Sequence, residues 1–451
     1  MGRFFGTDGV RGLANKGAMT AEMMVKLGRA TAHICKKYEN HQRHRIVIGK
    51  DTRVSGYMLE SALIAGICSM GVDVLLVGPM PTPGISFITR NMRADAGLVI
   101  SASHNPYQDN GIKIFAHTGY KLPDSVENEI EELILSGGID DIRPTADTIG
   151  KAKRIDDAMG RYIVFCKNTF SGTMSIEGMK IVLDCANGAT YKIAPLIFSE
   201  LGAEVVSIHN RPNGKNINDG CGSQHTKDLQ KKVLELHADI GLAFDGDGDR
   251  LIVVDEKGNE LSGDHLLYIC AKMYKERGLL SNNKMVATVM SNFGLGLACK
   301  EAGIEMLKSD VGDRYVLEMM LAEESVLGGE ASGHMIFHDH HTTGDGIISA
   351  LQVLTAIKHF NKPISTLGEG LRMFPQKLVN LTVAEKPLIE DLPALVQTIK
   401  DAEAVLGDQG RVLVRYSGTQ SICRVMVEGP TEEMVNELCE QLTAAVVAAI
   451  G

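Results

Sequence analysis

The sequence predicts an α/β fold, with mainly parallel mixed sheets over most of the chain and a smaller α+β domain at the C-terminal end. Short apolar runs alternate with helical patterns, as at 46–48, 55–69 and 74–77, and the same order begins again at 181–183. Strands that alternate with helices in this way are typical of parallel sheets, in which ligands bind at the carboxyl ends of the strands. Beyond residue 373 the apolar runs follow one another without this regular alternation, which favours an α+β domain.

A chain of 451 residues is too long for one ordinary core, so we expect three or four domains. Candidate joints are a polar stretch at 152–157, a hairpin sequence at 257–259 and the segment 373–375. The expected domains are 1–154, 155–257, 258–372 and 373–451.

Composition excludes several classes of protein. The chain is 44% hydrophobic and 23% charged, as soluble globular proteins are. A net charge of -10 argues against a nucleic-acid-binding surface. The nine cysteines are scattered singly, which is typical of a reducing compartment. With neither an apolar signal core nor a run of the roughly 18 apolar residues that span a bilayer, we expect a cytoplasmic protein without a membrane partner.

A candidate nucleophile follows the apolar run at 98–100. Ser103 and His104 come directly after it, and Pro106 stiffens the turn. A serine hydroxyl is a weak nucleophile unless a base or a charge activates it. The alternative is an ordinary turn, in which Ser and Asn side chains bond the local backbone. A serine hydrolase is disfavoured because no G-x-S-x-G elbow occurs.

Three carboxylates alternate with glycine between two apolar runs, at Asp245, Asp247 and Asp249. They would repel one another strongly unless a cation lay among them, and hard oxygen ligands favour Mg²⁺. The competing interpretation is an EF-hand calcium loop, with Glu256 at position 12. In that motif Arg250 would replace the glycine required at position 6, and strands rather than helices are predicted on either side.

Two further polar segments suit a sugar and a phosphate. Their candidate ligands are Glu330, Ser332 and His334 in the first, and Arg415, Ser417, Gly418, Thr419 and Arg424 in the second. Hydroxyl-pairing groups on a glycine-containing loop suit a polyol, whereas two arginines with hydroxyls and open backbone N–H groups suit a phosphate. Each segment alone could be an ordinary turn. The neighbouring stretch 342–346 is predicted to be a helix cap. The phosphate-binding motifs G-x-x-x-x-G-K-[ST] and G-x-G-x-x-G are absent.

The motifs together resemble the α-D-phosphohexomutase superfamily over essentially the whole chain. Further segments that carry the resemblance are G-T-D-G-V-R-G at 6–12, G-K-D-T-R-V-S-G at 49–56, C-G-S at 221–223 and V-G-D-R-Y at 311–315. They look like the branch of the superfamily that acts on amino sugars. The resemblance implies three related α/β domains and a smaller C-terminal domain around a central cleft, and a homodimer is a family expectation.

The resemblance also implies an activity. Ser103 would carry a phosphoryl group, and the three aspartates with a phosphoserine oxygen would hold one Mg²⁺. The phosphosugar substrate would be interconverted between the 6-phosphate and 1-phosphate of glucosamine through a hexosamine 1,6-bisphosphate, feeding amino-sugar nucleotide and cell-wall precursor synthesis.

The resemblance assigns roles to the remaining site residues. Arg11 and Lys113 would lie near the transferring phosphate, with Lys113 as a general acid or base. His104 and Arg250 would support the same centre. The segment 330–334 would contact the sugar hydroxyls, and the segment 415–424 would bind the distant phosphate.

The sequence departs from the family pattern at two places. Gln420 and Ser421 stand where the phosphate loop usually has Glu and Pro, and Ala331 stands where Gln is common. We expect altered affinity from them rather than lost function. The rival interpretations are a phosphoglucomutase or phosphomannomutase with the same machinery, and a non-catalytic calcium-binding or phosphosugar-sensing protein.

Overall fold

The computed structural model describes residues 4–6, 8–38, 43–416 and 421–450. The chain divides into two compact units. Unit 1 comprises Met1–Val289 and Ile304–Gly368, and unit 2 comprises Met290–Gly303 and Glu369–Gly451. Among these described residues, unit 1 contains three sheets and unit 2 contains one.

The first sheet has seven strands. Its strands are β1 Phe5–Gly6, β2 Gly9–Leu13, β3 Arg45–Lys50, β4 Asp73–Pro79, β5 Ala96–Ile100, β6 Asp109–Ala116 and β7 Ala152–Arg154. Its helices are α1 Ala21–Tyr38, α2 Ser55–Cys68, α3 Thr82–Asn91 and α4 Asp124–Leu135. The strand order is β1-β2-β6-β5-β3-β4-β7, in which β3 pairs in parallel with β4 and β5, and β6 is antiparallel to β5. Buried aliphatic side chains of α1, α2 and α4 pack with those of the sheet into one core.

The second sheet has five strands. They are β8 Lys180–Asp184, β9 Glu204–Ile208, β10 Ile240–Phe244, β11 Leu251–Asp255 and β12 Glu260–Leu261, in the order β12-β11-β10-β8-β9. The helices of this region are α5 Ala158–Lys167, α6 Ile193–Glu200 and α7 Lys227–Leu236. The hairpin at 257–259 joins β11 to β12 within this sheet.

The third sheet has four strands. They are β13 Lys284–Thr288, β14 Glu305–Ser309, β15 Leu327–Gly329 and β16 Met335–Phe337, in the order β14-β13-β15-β16. The helices over this stretch of unit 1 are α8 Gly263–Glu276, α10 Asp313–Ala322, α11 Gly346–Phe360 and α12 Ile364–Gly368. The helix between β13 and β14, α9 Phe293–Glu301, belongs to unit 2.

The three sheets of unit 1 share one arrangement. The orders β4-β3-β5-β6, β9-β8-β10-β11 and β14-β13-β15-β16 are equivalent. In each, three parallel strands are followed by a fourth that is antiparallel. The predicted three related α/β domains with mainly parallel mixed sheets are therefore confirmed.

Unit 2 is a smaller α+β domain, as predicted. Its antiparallel sheet consists of β17 Gln376–Thr382, β18 Arg411–Tyr416 and β19 Ile422–Glu428, in the order β17-β19-β18. Its remaining helices are α13 Pro393–Leu406 and α14 Glu432–Ile450, which pack on the sheet through a core of their own. Helix α9 is held here because Asn292 bonds the backbone of Phe374 and the Phe293 N–H donates to Glu428. The domain bounds expected from the sequence stay predictions.

Among the described residues, no helix has both the length and the apolar character needed to cross a membrane. All nine cysteines are free thiols.

Candidate active site

The three polar loops of unit 1 occupy equivalent places in the three related sheets. Each follows the third parallel strand and leads into the antiparallel fourth: Ser103 lies between β5 and β6, the aspartates lie between β10 and β11, and His334 lies between β15 and β16. The loops also touch one another. Arg250 and His334 form a backbone bridge, and the N–H of Leu251 donates to the carbonyl of Gly333 across 3.0 Å.

Ser103 is held rigidly and is aimed at the acidic loop. Its backbone φ is 52°, in the left-handed region, and its side chain is buried. Arg53 Nη2 and Asn218 Nδ2 donate to its carbonyl oxygen across 3.2 and 2.9 Å. Its Oγ donates to Asp245 Oδ2 across 2.6 Å, although the two residues are 142 positions apart in the chain. A strained backbone held by this many partners is common at functional sites.

The three aspartates converge as the sequence predicts. One carboxylate oxygen from each lies within 4.8 Å of the others, and all three residues are buried. Gly246 permits the close approach, because a Cβ there would lie 2.6 Å from the Ser103 carbonyl oxygen. Burial, with Asp249 and Asp247 nearby, raises the pKa of the Asp245 carboxyl well above its usual value.

The donor set fits a hard divalent cation. Within the part of the chain that the structure describes, the Oδ1 atoms of Asp247 and Asp249 are buried and have no hydrogen-bond partner. Oxygen-only sites of this kind suit Mg²⁺. Strands β10 and β11 flank the loop, which contradicts the EF-hand alternative because that motif requires helices.

A buried lysine joins this loop to the first sheet. Lys113 Nζ lies 3.0 Å from Asp247 Oδ2, 3.2 Å from Asp249 Oδ2 and 3.3 Å from Asp8 Oδ2. Burial alone would lower the pKa of Lys113, but the three carboxylates outweigh it and raise that pKa well above its ordinary value. Lys113 is therefore an ammonium ion in this arrangement. Arg11 pairs with Asp8 from the same side.

His104 lies beside the serine as a neutral imidazole. Its Nδ1 is 3.3 Å from Ser103 Oγ. Burial, with the positive charges of Arg250 and Arg11, lowers the pKa of His104 to about 4. A neutral ring at this distance can exchange a hydrogen bond with the serine oxygen without adding charge.

The loop after β15 brings His334 to the edge of the acidic centre. His334 Nδ1 lies 3.8 Å from Asp249 Oδ2, and its Nε2 lies 3.9 Å from Asp313 Oδ2. Burial lowers the pKa of His334, but the nearby carboxylates of Asp249 and Asp313 outweigh it and raise the pKa. Glu330 accepts from the Gly312 N–H across 3.1 Å, and Ser332 is half-buried.

The candidate phosphate loop lies in unit 2. Ser417, Gly418 and Thr419 fall outside the described residues. Arg415 and Arg424 are described, and they lie directly opposite each other on β18 and β19. Like charges in that position destabilise a sheet, so an anion between them would relieve the repulsion.

Sequence reasoning missed four residues at the centre. Asp8 and Asp313 share the ammonium of Lys121, and Thr82 donates to Asp247 Oδ2 across 2.7 Å. Asp8 and Asp313 lie within motifs that carried the family resemblance, which was a usable signal. Nothing in the sequence around Thr82 or Lys121 indicated a role.

The predicted helix cap at 342–346 is confirmed. Asp345 is the N-cap of α11, where its Oδ1 accepts from the N–H groups of Ile347 and Ile348 across 2.9 and 3.0 Å.

Comparison with known families covers nearly the whole chain. Residues 2–138, 161–258 and 262–373 match the models of phosphoglucomutase/phosphomannomutase α/β/α domains I, II and III, and residues 378–445 match the C-terminal domain of the same family. Two curated relatives are phosphoglucosamine mutases. The protein from Syntrophobacter fumaroxidans is 61% identical and that from Syntrophus aciditrophicus is 57% identical, each alignment covering 100% of both chains.

Solved structures share the fold at lower identity. A phosphoglucomutase/phosphomannomutase family protein from Burkholderia thailandensis has a TM-score of 0.80 at 24% identity, with 98% of this chain and 97% of that chain covered. The N-acetylphosphoglucosamine mutase of Aspergillus fumigatus, solved with GlcNAc-6P and magnesium, has a TM-score of 0.67 at 16% identity, with 100% and 96% covered. On the full-length identities and the four matched domains, the chain belongs to the phosphoglucosamine mutases of the α-D-phosphohexomutase superfamily.

Proposed function

We propose that this enzyme interconverts glucosamine 6-phosphate and glucosamine 1-phosphate by way of a phosphorylated Ser103. The phosphoryl group leaves Ser103 Oγ and is bonded to the free hydroxyl of the bound monophosphate, which gives a hexosamine 1,6-bisphosphate. After the sugar reorients, its other phosphate returns to Ser103. The serine oxygen regains the proton that the sugar hydroxyl loses, so protons and charge balance over each half-reaction.

The observation that carries this proposal is the contact of Ser103 Oγ with Asp245 Oδ2 at 2.6 Å. It brings a candidate nucleophile from one domain against a candidate cation site from another. A phosphoserine carries about -1.5 to -2 charges and would be repelled by three bare carboxylates. Phosphate and metal would therefore bind here as one unit.

Mg²⁺ is the proposed cofactor, held by Asp245, Asp247, Asp249 and a phosphoserine oxygen. When bound, it would supply charge stabilisation to the transferring phosphoryl group. The orphaned oxygens of Asp247 and Asp249 support this choice, as does the magnesium in the Aspergillus fumigatus structure.

Positively charged side chains of the protein would stabilise the remaining negative charge of the transferring phosphoryl group. Phosphoryl transfer depends chiefly on positioning and charge stabilisation. Lys113 and Arg11 lie on the serine side of the acidic loop, and we assign them to the equatorial oxygens of the transferring phosphoryl group. The ammonium form of Lys113 suits a general acid for the leaving serine oxygen, and His104 and Arg250 would support the same centre.

The sugar and its distant phosphate would be bound by the other two loops. We assign Glu330, Ser332 and His334 to the sugar hydroxyls, and Arg415, Ser417, Gly418, Thr419 and Arg424 to the phosphate that is not being transferred. The nine free thiols support a reducing, cytoplasmic compartment. The product would enter amino-sugar nucleotide and cell-wall precursor synthesis.

Ser103→Ala tests the proposal. Mutase turnover should nearly vanish, and intact-mass analysis should show one phosphate on active wild-type protein and none on the variant. Ser61→Ala is the control and should keep the phosphate, because the exposed Ser61 hydroxyl bonds the backbone of its own helix α2. Full turnover by Ser103→Ala would remove Ser103 from the mechanism.

The sugar is tested separately. Coupled assays with the 1-phosphates of glucosamine, glucose and mannose should give the highest kcat/KM for glucosamine 1-phosphate. A higher value for glucose or mannose would make the enzyme a phosphoglucomutase or phosphomannomutase with the same machinery. No turnover of any of the three sugars by phosphorylated protein would favour a phosphosugar sensor.

A further inference from the structure

A second group of metal-ligand side chains lies in the second α/β domain. Asp184 ends β8, His209 follows β9, and Cys221 lies in the loop before α7. One ligand atom from each lies within 4.8 Å of the other two. His209 Nδ1 is 3.0 Å from Asp184 Oδ2. None of these residues belongs to the site assigned above.

We propose that Asp184, His209 and Cys221 form a binding site for a divalent transition metal of the Zn²⁺ class. The site offers one oxygen, one nitrogen and one sulfur donor, all of which Zn²⁺ accepts. Mg²⁺ prefers oxygen alone, so the chemistry of the two clusters differs and each selects its own class of ion. Three protein ligands leave one tetrahedral position for water.

The surroundings of the histidine are those of a metal ligand. His209 Nε2 lies 3.4 Å from Asp228 Oδ2. Metal-binding histidines usually donate their second ring N–H to a carboxylate, which fixes the tautomer. With the proton on Nε2, the lone pair of Nδ1 faces the carboxylate of Asp184 at 3.0 Å. A proton on Nδ1 fills this place in the metal-free protein, and a metal ion that binds both atoms would displace it.

The other two ligands are also held in place. Asp184 Oδ1 accepts from the Ala186 N–H and Oδ2 from the Gly222 N–H, both across 2.9 Å. A carboxylate oxygen has two lone pairs, so Oδ2 keeps one for a metal. Asn187 Nδ2 approaches Cys221 Sγ at 4.0 Å, as a donor to a thiolate would. A thiolate, a carboxylate and a divalent ion together carry no net charge, which suits a buried site.

The site is connected to the serine loop. The segment that leads to Cys221 also contains Asn218, whose Nδ2 donates to the carbonyl oxygens of Ser103 and Asn105 across 2.9 and 3.0 Å. A metal that joins Cys221 to Asp184 therefore braces the segment that supports Ser103. Binding to the folded state alone also stabilises it by mass action.

The test is a Co²⁺ titration of the full-length protein in buffer without thiol reductants, with Mg²⁺ in excess to fill the acidic loop. We expect a thiolate-to-cobalt charge-transfer band that reaches its limit at one Co²⁺ per chain and that Zn²⁺ abolishes. Zn²⁺ should also raise the melting temperature. No band in the wild-type protein would overturn the proposal.

Variants identify the residues that produce the charge-transfer band. Cys221→Ser should abolish it, whereas Cys68→Ser, which removes a half-buried thiol on α2, should leave it unchanged. His209→Asn should weaken Co²⁺ binding at least tenfold and, because Asn tolerates the left-handed φ of 45° at this position, should fold. Equal melting temperatures of wild type and Cys221→Ser without transition metal would show that the variant folds. A band that persists in a folded Cys221→Ser protein would overturn the assignment.

Discussion

The ammonium of Lys113 donates to Asp247 Oδ2 across 3.0 Å and so joins strand β6 of the first sheet to the acidic loop of the second. The contact lies beside the hydrogen bond of Ser103 to Asp245, so the proposed nucleophile, the proposed cation site and Lys113 form one continuous cluster. Two related domains each contribute the loop after their third parallel strand. Neither domain holds both the serine and the acidic loop.

Lys113→Met should change turnover and metal affinity in opposite directions. Loss of a charge and general acid at the transferring group should lower kcat by about 10²–10⁴. The same change removes a cation that competes for Asp247 and Asp249, so half-saturation should need less Mg²⁺. Activity measured against Mg²⁺ concentration gives both numbers. Lys113→Arg, which keeps the charge, should leave the Mg²⁺ requirement near that of the wild type, and a higher Mg²⁺ requirement in Lys113→Met would contradict this electrostatic account.

Lys121→Met should raise KM more than it lowers kcat. Lys121 holds Asp8, next to the serine side of the site, and Asp313, which faces His334 of the sugar loop. Without the ammonium, Asp313 loses this partner and Asp8 keeps only Arg11 and Lys113. The loop that carries His334 then loses its fixed distance from Asp8. Steady-state kinetics would measure KM and kcat separately and so show which of the two constants changes more.

Two variants control the Lys121 experiment. Lys121→Arg should recover part of the lost affinity, because it restores the charge with a different geometry. Lys37→Met removes an exposed ion pair with Glu129 and should change neither constant. Equal KM values for Lys121→Met and wild type would show that the bridge has no part in substrate binding.

Asp247→Asn should raise the Mg²⁺ concentration needed for half-maximal activity. The substitution removes one of three converging carboxylates but keeps the size of the side chain and one acceptor oxygen for Thr82. Titration of activity with Mg²⁺ measures the change. Asp73→Asn alters a carboxylate at the start of β4, outside the acidic loop, and should leave the titration unchanged. An unchanged Mg²⁺ requirement in Asp247→Asn would remove this carboxylate from the metal site.

Much of the site was readable because its parts are local in sequence. Asp245, Asp247 and Asp249 lie within five positions, and glycines between them allow the loop to fold around an ion. The apolar runs before Ser103 and Asp245 placed both loops at strand ends. Periodicity also located α2, predicted over 55–69, within one residue of its observed bounds Ser55–Cys68.

The rest depended on contacts between distant segments. Lys121 meets Asp8 and Asp313, which are 113 and 192 positions away. No local pattern encodes such a meeting, because it follows from the shared strand order of three separate sheets. The proximity of Asp184, His209 and Cys221 was missed for the same reason, since Asp184 ends β8, the other two lie in the long segment after β9, and their spacing is not that of a metal motif.

Arg424→Met should weaken substrate binding while stabilising the protein. Arg424 lies opposite Arg415 on neighbouring antiparallel strands, a position in which like charges destabilise a sheet. We expect a higher KM and a free energy of unfolding larger by up to about 1 kcal/mol. Kinetics and chemical denaturation without ligand measure the two effects. Lys377→Met, on β17 of the same sheet, removes a cation paired with Glu440 and should do neither. A lower stability of Arg424→Met would contradict the repulsion.

Asp345 should make stability depend on pH in a direction opposite to that of an ordinary surface carboxylate. Burial raises the pKa of Asp345 to about 6 from an ordinary value of 3.8, although Tyr162 and two backbone N–H groups of α11 bond the carboxylate. Because the pKa of Asp345 is higher in the folded protein than in the unfolded chain, folding favours the protonated form of this carboxyl group. Its contribution to stability is therefore complete below pH 3.8 and is lost as the pH rises through about 6.

Asp345→Asn removes this dependence and keeps a side-chain oxygen that can cap α11. The free energy of unfolding of the variant relative to the wild type should therefore rise by up to about 3 kcal/mol between pH 4 and pH 7.5, since one pKa unit corresponds to about 1.4 kcal/mol. Urea denaturation at several pH values measures it. Asp345→Ala is the control, because it abolishes the same titration but also loses the cap, at a cost of about 1 kcal/mol at every pH. A pH-independent difference between Asp345→Asn and the wild type would show that this carboxyl does not titrate near pH 6.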